Sequence, residues 1–73
     1  MYQIILGLDR KYYCVCCLQD GTERWAEDNI ETAIAKVKDF AKVMNGMKIK
    51  RKEISFYKEV VTQKSEFVAW DGK

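Results

Sequence analysis

The strongest constraint on this chain is one helix signal set between strand signals. Within residues 28–46, Ile30, Ala33, Ile34, Val37, Phe40, Ala41 and Met44 recur at three- and four-residue spacings. On a helix that spacing draws one apolar stripe, with Lys36, Lys38, Asp39 and Lys42 away from it. Asp28 is placed to cap the first turn, and Glu31, three residues on, completes a capping box. Both carboxylates also suit the positive end of the helix dipole. Asn45-Gly46 marks the stop, because glycine accepts the left-handed backbone found there.

The flanking segments alternate with the period of strands. Tyr2, Ile4, Leu6 and Leu8 share one parity, which predicts a first strand closed by the polar turn Asp9-Arg10-Lys11. Tyr12–Gln19 is aromatic and β-compatible and predicts a second strand. Asp20-Gly21 predicts a type I′ hairpin turn, since both central residues of that turn need positive φ. A short third strand, Thr22–Ala26, then carries Trp25. After the helix, Ile54, Phe56 and Val60 share one parity while Tyr57 and Val61 share the other, so Lys52–Val61 reads as a strand. A second helix over 52–64 is the alternative there, opposed by its β-branched and aromatic content. Glu66–Trp70 follows a turn as the last strand. The expected fold is therefore α+β, one domain spanning 1–73. A single antiparallel sheet, in the order β-β-β-α-β-β, carries one amphipathic helix packed on one face. Short polar turns favour hairpins over parallel crossovers.

One helix covers one face of a sheet, and the other face should be polar if the domain stands alone. Here it does not read as polar. The second strand presents Tyr12, Cys14, Cys16 and Leu18 to one side and Tyr13, Val15 and Cys17 to the other. A contiguous apolar outer face marks an interaction surface. The expected contacts are Tyr13, Val15, Tyr57 and Trp70, and the expected partner is another protein or a second copy of this chain.

Charge offers a second reading. The formal net charge is only +2, yet residues 36–52 hold seven basic groups against Asp39 alone. Lys36, Lys42, Lys48, Lys50, Arg51 and Lys52 form a patch able to neutralise phosphates, so nucleic-acid binding is the alternative function. The acidic residues Asp20, Glu23, Glu27, Asp28 and Glu31 cluster around the hairpin tip and the helix start and suit a basic protein surface.

Catalysis is not expected. The chain has no histidine, and so lacks the commonest acid–base group. Its glycines are isolated, so there is no phosphate-cradling loop. Cys14, Cys16 and Cys17 are too few for a structural zinc site without imidazole. Their spacing on one strand is also wrong for mutual disulfides, which leaves reduced thiols and a cytoplasmic setting. No cofactor or metal is expected, and no segment is apolar for long enough to span a membrane. In size and layout the chain is similar to small phage- or mobile-element-encoded proteins that block a host protein, as anti-CRISPR proteins do. That likeness has no sequence motif behind it. It implies a non-enzymatic inhibitor or accessory factor.

Overall fold

The computed structural model describes residues 1–72. Five strands form one sheet: β1 (Tyr2–Leu6), β2 (Tyr12–Leu18), β3 (Gly21–Glu27), β4 (Ser55–Val61) and β5 (Ser65–Ala69). The helix α1 runs Ile30–Asn45, and a 3₁₀ turn occupies Arg51–Glu53. The order along the sheet is β3-β2-β1-β4-β5. The α+β architecture with one helix on one face is the expected one, and residues 55–61 are strand, not helix.

One pairing departs from the expectation. β1 and β4 run parallel, with Ile4 opposite Phe56, while the other three pairings are antiparallel. The helix is the cause. The chain leaves β3 at one edge, crosses the sheet through α1 and descends beside β1, so this connection is a crossover that hairpin reasoning does not see.

Two local expectations are also corrected. The cap of α1 is Asn29, whose side chain accepts from the amides of Glu31 and Thr32 at 2.8 and 3.2 Å; Asp28 lies one residue too early. The hairpin turn is Gln19-Asp20, and neither Asp20 nor Gly21 has positive φ. The β2–β3 register draws Gly21 into the strand, sets Trp25 opposite Cys14 and brings Trp25 onto Phe40, ring centroids 5.5 Å apart. Gly46 does close the helix in the left-handed region, φ 64°.

The core lies between α1 and the sheet. Ile4, Cys14 and Cys16 from the strands meet Ala33, Val37 and Ala41 from the helix, all fully buried. Small residues on the helix side let it approach the sheet closely. The helix lies over β1–β3. Over β4 the cover comes from elsewhere: Ile49 and Ile54 of the following loop, Phe56 and Trp70. Arg51 locks that corner. Its guanidinium sits 4.8 Å from the Phe56 ring centre and donates to the carbonyls of Asp71 and Gly72.

Candidate interaction surface

Strand alternation divides the sheet residues between two faces. The register places Ala26, Tyr13, Ile5, Tyr57 and Ala69 opposite one another, one from each strand. All five have the parity that points away from α1. They make an uncharged row across the whole width of the sheet. Val15 lies beside it on β2. Farther along β4 and β5, Val61 and Phe67 stand 69% and 59% exposed on the same face. Among the described residues no element covers this side.

Tyr13 is the most firmly held residue of the row. Its hydroxyl donates to Asp9 Oδ2, and the Lys11 amide donates to Asp9 Oδ1 at 3.1 Å. The Tyr13 hydrogen bond is the main cause that lowers the Asp9 carboxyl below its ordinary pKa, and the same bond raises the Tyr13 phenol. Beneath the ring lies Gly7, where a Cβ would come within 2.9 Å of Tyr13 Cε2. Glycine thus provides the floor on which the ring rests. The result is a large aromatic group, 39% exposed, with its rotation already restricted. Fixed aromatic side chains of this kind anchor protein interfaces at low entropic cost.

Of the four residues expected at a protein contact, Tyr13, Val15 and Tyr57 come together on the helix-free face. Trp70 does not. It packs edge-on against Phe56, centroids 6.4 Å apart, on the core side, and its indole donates to Tyr57 O. The parity of β5 explains this: Ala69 is the residue opposite Tyr57, so its neighbour turns inward. Phe67 and Ala69, absent from the sequence reading, take the place on the outer face. The alternation of residues 65–69 could have located them once Val61 was assigned outward.

The basic patch is divided. Lys36 bridges to Glu27 at 2.9 Å, and Arg51 turns inward to Phe56 and the C-terminal segment. Lys42 and Lys48 share a shallow hollow with Lys38 beside Ile49. Lys50 and Lys52 are exposed.

Cys14 and Cys16 face the core, and Cys17 faces the other way, as strand alternation requires. Burial is the first cause that pushes Cys14 up to about 12 and Cys16 up to about 11. At neutral pH both are therefore inert thiols, since the thiolate is the reactive form. Among the described residues, no group of three or more Cys, Asp or Glu side chains is arranged to hold a metal ion. No helix is long and apolar enough to cross a membrane. Comparison with known proteins finds no matching family model, curated protein or solved structure.

Proposed function

We propose that this chain is a non-enzymatic protein-binding module that buries its helix-free sheet face against a flat apolar surface of another protein. It would act as a small inhibitor or accessory factor. The observation that carries this reading is the uncharged row Ala26–Tyr13–Ile5–Tyr57–Ala69, which no element among the described residues covers. Strands of 5, 7, 7, 7 and 5 residues, rising about 3.3 Å per residue and set about 4.8 Å apart, give a face of about 500 Å², the scale of a small interface. A second copy of the chain is the simplest surface that answers the face.

Affinity capture by the full chain, compared with A26K and F67K variants, tests the proposal. Both substitutions lie on exposed positions of the face. The expected result is that a partner held by the native chain is lost at least tenfold from both variants, with sedimentation equilibrium reporting the second-copy case. A partner retained in full by both would overturn the reading. The hollow lined by Lys38, Lys42 and Lys48 against the single carboxylate of Asp39 supports a second reading, phosphate binding on the helix side. A DNA and RNA titration tests it, since phosphate-driven affinity must fall as salt rises.

A further inference from the structure

The outer edge of β3 carries a different surface with its own chemistry. The Cys17 amide donates to Met1 O, so odd-numbered residues of β2 turn their backbone groups towards β1 and even-numbered ones towards β3. Glu23 and Trp25 lie opposite Cys16 and Cys14, and their backbone groups are thereby used within the sheet. Those of Thr22, Arg24 and Ala26 point outward. β3 ends the strand order and is seven residues long without a proline; its charged residues Glu23, Arg24 and Glu27 select against uncharged or acidic strands.

Beside this edge, on the helix side, runs an open groove. It is lined by Trp25, Phe40, Val43 and Met44 together with the exposed carboxylates Glu23 and Asp39. Val43 is 69% and Met44 56% exposed, a contiguous apolar flank that the core does not use. The Trp25 indole N–H is shut from water and has no acceptor among the described residues. With Glu27 and its partner Lys36 included, the groove carries three carboxylates against one ammonium, in a chain whose formal net charge is +2.

We propose that this groove binds an extended segment of a partner protein, which adds a sixth strand to β3. The outward backbone groups of Thr22, Arg24 and Ala26 supply the ladder. On the groove side, β3 reads Glu23, Trp25, Glu27 at alternate positions. The incoming strand therefore carries the pattern basic–x–bulky apolar–x–basic: its central side chain rests on Trp25, Phe40, Val43 and Met44, and its flanking Lys or Arg meets the carboxylates. A second copy of β3 fits poorly in the two registers that centre on the strand: antiparallel self-pairing about Trp25 sets Glu23 against Glu27 of the copy on both sides, and pairing about Arg24 opposes two guanidiniums.

The test is a titration of the ¹⁵N-labelled chain with the blocked peptide Thr-Lys-Thr-Leu-Thr-Lys-Thr, followed by amide exchange. The expected result is slowed exchange at the Thr22, Arg24 and Ala26 amides and a shifted Trp25 indole resonance. A peptide with Glu in place of both Lys should bind about tenfold more weakly. So should the native peptide to an E23K/D39K double variant, whose positions are exposed and whose fold is checked by its dispersed amide spectrum. Reversing two exposed charges amounts to about tenfold. Four results would overturn the proposal: no binding at millimolar peptide, equal affinity for the Glu peptide, shifts confined to the helix-free face, or edge amides already protected in the free chain through self-association. A26K is unsuitable as a control here, because Ala26 belongs to the edge; F67K, on the far side of the sheet, should leave peptide binding unchanged.

Discussion

Ile4 and Ile5 are adjacent residues of one strand with opposite situations. Ile4 is fully buried between β1 and α1, while Ile5 belongs to the helix-free row and is half-buried. The same backbone thus supports a packed core on one side and an apolar surface without a cover on the other. The difference shows that apolar content alone does not define a core; a second layer does. Truncation should separate the two faces most clearly. Ile4→Ala should lose about 3 kcal/mol, the usual cost of a buried large-to-small change, and Ile5→Ala about 1 kcal/mol or less by the area it exposes. Urea unfolding of both variants checks this. Equal losses would mean that the second face is covered as well as the first.

The thiols sharpen the comparison by pH. Cys14 and Cys16 sit on the covered face with pKa values raised from 9.0 to about 12 and about 11. A raised value means that the folded state keeps the proton more tightly than the unfolded one. Their contribution is therefore fully present below pH 9 and is lost as pH rises towards the folded values. Between pH 9 and 10 each thiol should remove about 1 kcal/mol. Denaturant midpoints measured from pH 8 to 11 should fall, and C14A should flatten the slope.

Much of this division is legible in the sequence. The stripe from Ile30 to Ala41 and the parities of Tyr12–Leu18 identify both layers, because each records a period of 3.6 or 2. What local patterns lack is the partner of each strand. The parallel β1–β4 pairing depends on where α1 delivers the chain, and the face that Trp70 takes depends on the β4–β5 register, which sets Ala69 opposite Tyr57. The helix cap shows the same limit at short range. Asp28 and Asn29 are both good caps, and only the first helical residue decides between them. The groove beside β3 was hidden for another reason: Val43 lies off the stripe, and its proximity to Trp25 exists only once β3 is an edge.

Within the covered face, the helix and the Arg51 corner also differ. Where α1 ends, a cation–π contact and two carbonyl hydrogen bonds take over. Arg51→Ala should lose about 2 kcal/mol, from a partly desolvated cation–π pair plus charged hydrogen bonds. Arg51→Lys should recover only part of this, since an ammonium cannot reproduce the planar fork. Thermal unfolding distinguishes the two variants. Gly7→Ala should cost about 1 kcal/mol on the open face, because its Cβ would come within 2.7 Å of Asp9 Oδ1 and push the Tyr13–Asp9 pair aside. Full recovery by Arg51→Lys would reduce the corner to simple charge.

The smallest expected effect is the most diagnostic. Phe67 is 59% exposed and stands opposite Glu59 on β4. In an isolated chain, Phe67→Lys removes little buried area and sets an ammonium across from a carboxylate, a pairing that contributes about 0.2–1 kcal/mol. The monomer should be unchanged or slightly more stable. If two copies already bury the helix-free face against each other, the same lysine is forced into an apolar contact, and the apparent stability becomes dependent on protein concentration and falls. Chemical unfolding at two concentrations a hundredfold apart separates these cases. A midpoint independent of concentration in the native chain, together with an unaltered F67K variant, would leave the face vacant in the isolated protein and assign it to a partner of different sequence. A midpoint that rises with concentration in the native chain and not in F67K would identify that partner as the chain itself.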